Sequence, residues 1–275
     1  DTTLAKLEHV DALGAEHVTG RLSVMPLPLS RLLPKRDDEV MPTGAVSLDL
    51  DMKGTLDDPK LTIDGTVQGL SFGKVPLGQA RLVSRTQGKA QSIGLTLKAS
   101  GNSELRATGT VGVDLSIATL RQGLSLTAIP LDLSVASKDF DLGFLSGVTP
   151  MVRIVGGQLT LSNFKVKGLS GNPDIGGEVA WKKGRLGLAS YGDYRDIDLE
   201  TVVSRERVEV QTLSVRAGGG GFAMNPLVAV RQPTGIWTFE SSGTATRFPI
   251  VTDDQLLAIL SVKYELNAEL SEGAI

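Results

Sequence analysis

Residues Gly54 to Gly65 read GTLDDPKLTIDG. An alternating apolar–polar run leads into the first glycine, a polar tip with a fixed proline follows, and a second alternating run closes on glycine. Asp, Pro and Gly are what a tight reversal needs: proline presets φ, and the short polar side chains bond their own backbone. A looser copy stands at Gly168 to Gly177, GLSGNPDIGG. Pro59 and Pro173 thus mark the same step of a recurring strand–turn–strand unit, and the fold is decided by what flanks them.

Before the first turn, Leu48, Leu50 and Met52 share one strand face, with Ser47, Asp49, Asp51 and Lys53 on the other. After it, Leu61, Ile63 and Val67 lie opposite Thr62, Asp64 and Thr66. Leu77 to Arg85 is a weaker strand. Ile93, Leu95 and Leu97 alternate against Gly94, Thr96 and Lys98, Gly101-Asn102 turns, and Leu105 and Val111 follow. Two further strands, Leu124–Ile129 and Leu131–Val135, are expected to meet at Pro130. Phe140 to Thr149 breaks the pattern with a short helical turn before Pro150. Leu159 and Leu161 then alternate, and the apolar parity slips to Phe164 and Val166, which predicts a bulge at Ser162–Asn163. Val179 and Trp181 precede a hairpin expected at Lys182-Lys183-Gly184. Ile197, Leu199, Thr201 and Val203 make a strand. Val208 and Val210, then Leu213 and Val215, make another with a second slip. Gly218 to Gly221 reads as a sharp turn. Val228, Val230, Trp237 and Phe239 belong to later strands, Asp253–Leu260 fits a capped helix or a strand, and Leu266, Ala268 and Leu270 close.

Toward the N-terminus the pattern loosens. Leu4, Leu7, Val10 and Leu13 keep a helical spacing with Gly14 as a stop, or belong to an incomplete strand module. Arg21 to Met25 alternates, Ser30 is placed to cap one helical turn ended by Pro34, and Lys35 to Pro42 is a charged loop. The unit (helical turn, charged loop, glycine, strands around a G…P turn) occurs about twice. It divides the chain into a partial module over 1–25, modules over 26–139 and 140–248, and the start of another over 249–275. A long internal period means stacked modules sharing one apolar face.

Composition removes several function classes. Among 275 residues, 28 Lys+Arg face 31 Asp+Glu, a net charge of −3, without the basic excess of a nucleic-acid partner. Cysteine is absent, which removes disulfides, thiolate metal sites and cysteine nucleophiles together. The two histidines, His9 and His17, carry no metal-ligand spacing and have no partner for a serine nucleophile. Asp57-Asp58-Pro59 lacks calcium-loop spacing and serves the turn. Asp49 with Asp51, and Asp196 with Asp198, sit on polar faces. The glycine run lacks the Lys-Ser/Thr of a phosphate loop. Trp181, Trp237 and Phe239 fit anchoring positions better than a sugar site. No enzyme, metal or cofactor is expected. No apolar run reaches the length of about 18 residues that spans a bilayer. The chain opens on Asp without a signal peptide, so it is expected to be an excerpt of a longer or processed protein.

An apolar strand face must be covered. Few segments are long enough to be covering helices, so the sheet either closes on itself as a sandwich or solenoid, or curls into an open trough that needs a ligand. Period-two patterning fits both. The aliphatic lining and the lack of a polar constellation lean toward a trough for acyl chains.

The G…L-x-L…G…P…G pattern at Gly44–Gly65 and Gly157–Gly177 resembles the repeats of the translocation and assembly module TamB, of the AsmA-like proteins of Gram-negative envelopes. Tyr191 to Leu199 (YGDYRDIDL), Leu213 to Gly221 (LSVRAGGGG) and Arg247-Phe-Pro-Ile250 add to the likeness, which covers most of residues 20–275. The second turn departs from it in its spacing to the closing glycines, and the last module is truncated. The resemblance implies an all-β fold, an elongated curled antiparallel sheet or "β-taco", with short helical turns between modules. It implies a periplasmic location, an inner-membrane anchor outside this stretch, phospholipid acyl chains as ligand, and a TamA-like outer-membrane β-barrel partner met through other regions. The expected groove lining is Leu48, Leu50, Met52, Leu61, Ile63, Val67, Ile93, Leu95, Leu97, Leu105 and Val111 in the first module. In the second it is Leu159, Leu161, Val179, Trp181, Ile197, Leu199, Val208 and Val210. The competing expectations are a scaffold that templates outer-membrane proteins or autotransporters by sheet-edge pairing, and an exported sandwich with a small enzymatic or carbohydrate site.

Overall fold

The computed structural model describes residues 15–32, 41–72, 75–99, 103–146, 151–253 and 255–270. Alternating β-branched and leucine-rich runs punctuated by glycine and proline give fourteen strands. They are β1 (Gly20–Pro28), β2 (Pro42–Gly54), β3 (Pro59–Phe72), β4 (Val75–Gln87), β5 (Ala90–Lys98), β6 (Glu104–Val111) and β7 (Pro130–Asp141). Then follow β8 (Val152–Leu169), β9 (Asn172–Leu188), β10 (Gly192–Val203), β11 (Arg207–Ala217), β12 (Gly220–Arg231), β13 (Trp237–Thr252) and β14 (Gln255–Leu270). Each pairs antiparallel with its sequence neighbours, in the order β1 to β14 without a crossover, and the sheet does not close into a barrel. At the usual strand spacing this ribbon is about 60 Å across.

The two proline turns are equivalent in space as well as in sequence. Gly54 pairs with Pro59 and Gly168 with Pro173, each glycine being the last-but-one or last step before the reversal and each proline standing opposite it. Both glycines have positive φ, +103° and +93°, which a side chain resists. At the first turn the Asp58 N–H donates to the Thr55 hydroxyl (3.0 Å) and carbonyl (3.2 Å). Both hairpins open on the same margin of the sheet, as the all-antiparallel order requires.

Bulges sit where apolar parity slips. The β8–β9 register shifts between Ser162 and Lys165, with Asn163 at φ +52°, so Leu161 and Phe164 face the same side. The β10–β11 register shifts between Glu200 and Thr201, which brings Val210 and Leu213 to one face. Gly218-Gly219, both at positive φ, make the two-residue reversal between β11 and β12.

Other expectations are corrected. Leu124–Ile129 is no strand. The connection from β6 to β7 instead carries a six-residue helix, α1 (Ile117–Gln122), whose N-cap Ser116 accepts from the Thr119 N–H. Lys182-Lys183-Gly184 is no hairpin: β9 runs on to Leu188, and Lys183 (φ +51°) is a bulge whose N–H donates to Asp198. Ser30 does not cap its turn, since the 3-10 turn Leu29–Arg31 has no side-chain cap. Pro249 lies inside β13, and of the two readings of Asp253–Leu260 the strand is the one that forms, as the start of β14. The 3-10 turn Leu142–Leu145 does form, with Asp141 accepting from the Gly143 N–H at 2.8 Å. The helical spacing over Leu4–Gly14, His9, Pro34, most of the Lys35–Pro42 loop, the Gly101-Asn102 turn and Pro150 lie outside the described residues.

The sheet curls. The Ile117 N–H, after β6, donates to Leu56 O in the β2–β3 turn at 2.9 Å, a contact that spans four strands of the ribbon. Buried apolar side chains are correspondingly few: Leu77, Phe140, Ile197, Ala217, Ala229 and Ala245 among the described residues. The chain exposes 17370 Å², where a compact monomer of 29.0 kDa exposes about 11,000 Å². Among the described residues no second layer covers the apolar face.

Candidate apolar groove

One ladder of paired residues crosses all fourteen strands. It runs Leu27, Val46, Val67, Ala80, Leu97, Leu105, Ser137, Leu161, Val179, Thr201, Val210, Leu227, Ser241, Leu266, each directly opposite the next. Paired residues project to the same side, so this row defines an inner face for the whole ribbon. Its three hydroxyls are turned to local acceptors: Ser137 Oγ donates to Leu159 O (3.0 Å) and Thr201 Oγ1 to Glu209 O (3.0 Å), while Ser241 Oγ meets the Tyr264 hydroxyl at 3.3 Å. The row therefore offers a ligand almost no free polar group.

The residues singled out from the sequence all fall on this face. Val67, Leu97, Leu105, Leu161, Val179 and Val210 are in the row itself. Leu48 and Leu95 belong to the next row, either side of Gly65 and Leu82. Leu50 pairs with Ile63, whose row continues through Ser84 to Ile93. Met52 pairs with Leu61, and Val111 stands opposite Gln91 and Leu131. In the later strands Leu159, Trp181 and Leu199 form one rung and Val203, Val208 and Ala229 another. Ile197 stands opposite Gly184 and is buried.

Several inner-face residues escaped the sequence reading. Leu82 sits beside Ser84 and Thr86, whose polarity hid the alternation of β4. Those two with Gln91 form a self-satisfied inlay: the Gln91 amide donates to Thr86 Oγ1 (3.0 Å), Thr86 Oγ1 to Leu61 O (3.2 Å) and Ser84 Oγ to Gln91 Oε1 (3.3 Å). Tyr194 and Phe248 escaped that reading because bulges at Asp196 (φ +50°) and Arg247 (φ +47°) shift the parity around them, and Phe222 and Tyr264, whose registers are regular, escaped it without a local cause. A non-glycine residue at positive φ leaves no composition signal.

The outer face is polar and paired. Arg81 grips Asp64 in a two-pronged bond, Nε to Oδ1 at 3.1 Å and Nη2 to Oδ2 at 2.6 Å, which holds the Asp64 carboxyl below the usual range. The Ser116 N–H, first, and then Lys89 lower Asp114 likewise. Lys182 with Glu200 and Lys167 with Asp132 form further cross-strand ion pairs. Surface concavities, such as the roughly open one of about 650 Å³ lined by Lys165, Lys167, Asp174 and Arg205, lie on this outer side. Among the described residues no group of His, Asp or Glu is placed to hold a metal ion, and no helix is long and apolar enough to cross a membrane. His17 makes an isolated bridge with Thr55.

The class defined here is an open, curled, all-antiparallel ribbon with one continuous apolar face. Comparison with family models, with curated proteins and with solved structures returns no match.

Proposed function

We propose that this chain is a stretch of a lipid conduit, of the TamB and AsmA-like kind, that carries phospholipid through the periplasm between the inner and outer membranes and so supports outer-membrane biogenesis. The observation that carries this reading is the uncovered row from Leu27 to Leu266. Apolar patches of this extent on a protein surface mark interaction sites. Burying such a face under acyl chains gains about 25 cal/mol per Å² without any directional group, which suits a ligand that slides. The polar outer face, with its cross-strand ion pairs, suits an aqueous compartment.

The test places a charge in the row. Leu97→Asp sets an unpaired carboxylate among acyl chains, and phospholipid retained by the purified protein, measured by native mass spectrometry, is expected to fall by about tenfold or more. Thr96→Asp, one residue away on the outer face, is expected to leave it unchanged. Equal retention in both variants, or none in the parent protein, removes the conduit reading.

A further inference from the structure

We propose that Arg185, Arg195 and Arg216, which stand in one cross-strand rung on the outer face of β9, β10 and β11, form a binding site for a phosphate-bearing anion. The site lies on the side of the ribbon away from the apolar row and does not depend on what that row carries.

The register brings the three together. Arg185 of β9 pairs directly with Arg195 of β10, and Arg195 pairs directly with Arg216 of β11. Paired residues project to one side, so three guanidiniums share a strip about 10 Å wide, two strand spacings. All three arginines are exposed. A glycine stands at each end of the rung, Gly156 opposite Arg185 and Gly221 opposite Arg216, so no neighbouring side chain of the rung shields the strip.

Two bulges make this rung. Trp181 and Ile197 face inward, and by period-two parity Arg185 would follow Trp181, and Arg195 would share the side of Ile197, on the apolar face. Lys183 (φ +51°) and Asp196 (φ +50°) each take up one extra residue and turn the arginines outward. Bulges re-aim side chains in this way, here through a positive φ that residues other than glycine resist.

The nearby carboxylates do not neutralise the rung. Asp193 is held by Arg153 at 3.1 Å, and Asp198 accepts from the Lys183 N–H at 3.1 Å. Asp196 lines the hollows on either side of the rung. Among the described residues Arg185, Arg195 and Arg216 make no ion pair and no side-chain hydrogen bond. Like charges directly opposite one another destabilise a sheet, and arginine cannot shed its proton. An oxyanion relieves that repulsion and matches the guanidinium fork. A lone carboxylate engages one fork, whereas a phosphate-bearing anion with several charges engages two or three. There is room for it: a hollow of about 450 Å³ is lined by Arg185 and Arg195, and one of about 540 Å³ by Arg216 with the hydroxyls of Ser214, Thr244 and Thr246 as further donors.

The experiment titrates inorganic pyrophosphate, and separately inorganic phosphate, into the intact protein at low salt by calorimetry. Arg195→Gln removes the middle charge and is expected to weaken pyrophosphate binding by about tenfold, and Arg216→Gln to weaken it less. Lys165→Gln removes an outer-face charge outside the rung and is expected to leave binding unchanged. Without the anion, Arg195→Gln is expected to raise Tm, because it ends the like-charge contact. Pyrophosphate is expected to raise the Tm of the parent protein and not that of the variant. Flotation with phosphatidylglycerol against phosphatidylcholine vesicles separates the two sources of phosphate. Flotation with phosphatidylglycerol that is lost in Arg195→Gln supports the site with a lipid headgroup as its ligand, and pyrophosphate binding without flotation supports it with a soluble phosphate. Equal weakening by Lys165→Gln and Arg195→Gln overturns the site, as does a parent protein that binds neither anion and shows no flotation dependent on Arg195.

Discussion

Strands β2 to β7 and strands β8 to β14 share one inner face but finish it differently. In the earlier strands the face is mostly leucine, isoleucine and valine around the Ser84, Thr86 and Gln91 inlay, with Phe140 buried at its end and Leu82 and Leu95 still in contact with solvent in mid-sheet. In the later strands aromatic rings lie over small residues or on one another: Trp181 over Gly157 and Gly184, Tyr264 over Gly243, and Tyr194 stacked on Phe248. A sheet with no covering layer must either leave its apolar face to a ligand or cover it with its own largest side chains. The later half packs rings over small residues of its own face, and the earlier half leaves Leu82 and Leu95 of that face accessible.

The seam between the halves is the place to break this contrast most strongly. Phe140, at the end of β7, is 1% exposed, packs edge-on against Phe144 of the following 3-10 turn at 5.8 Å, and stands opposite Leu159. Phe140→Ala is expected to destabilise the protein by about 3–5 kcal/mol, as for other buried aromatics, measured by urea unfolding. A much smaller cost means the halves do not lean on this packing.

A matched pair sharpens the contrast. Phe222→Ala removes a ring packed on both sides by rings and is expected to cost about 2–3 kcal/mol. Leu95→Ala, on the accessible face, is expected to cost less, about 1–2 kcal/mol, since Leu95 stays 38% exposed on folding. Equal costs in the same unfolding assay remove the distinction between a self-covered and an open half.

The smallest effect belongs to the outer face. Arg81 lowers the Asp64 carboxyl in the folded state. A depressed carboxylate contributes stability that is present above its unfolded pKa of about 3.9 and is lost as pH falls through the lower folded value. Asp64→Asn is therefore expected to leave neutral-pH stability almost unchanged, because exposed ion pairs count for little. It is expected to make the loss of stability on acidification below about pH 4 slightly shallower. A large change at neutral pH would show that the outer face, not the inner, holds the earlier strands together.

Much of the architecture was legible because the chain alternates so regularly. The G…P turns at Pro59 and Pro173, the bulge at Ser162–Asn163 and the slip between Val210 and Leu213 were each visible as a change of parity or a turn residue. What was illegible had a local cause. Lys183, Asp196 and Arg247 bulge at positive φ with no glycine to announce it, so Lys182–Gly184 reads as a hairpin and Tyr194 and Phe248 drop out of the apolar count. The connection from β6 to β7 reads as a strand at Leu124–Ile129 because leucine and threonine alternate there. Ser116 caps a helix just before it, and the stretch itself bonds to the Ser170-Gly171 turn between β8 and β9 rather than to a strand.

The sequence by itself determined that the chain is all-β, that one face of each strand is apolar, and where the first turn GTLDDPKLTIDG reverses. Period-two alternation and turn residues are local, and they survive in a linear reading. Only the tertiary structure decided that the faces join into one row from Leu27 to Leu266, that the row stays uncovered, and that rings pack over part of the face. Those outcomes depend on register between strands, on curl, and on contacts such as Ile117 to Leu56 and Tyr194 to Phe248. A chain that alternates equally well for a sandwich and for a trough leaves that choice to how its edges and large side chains pack.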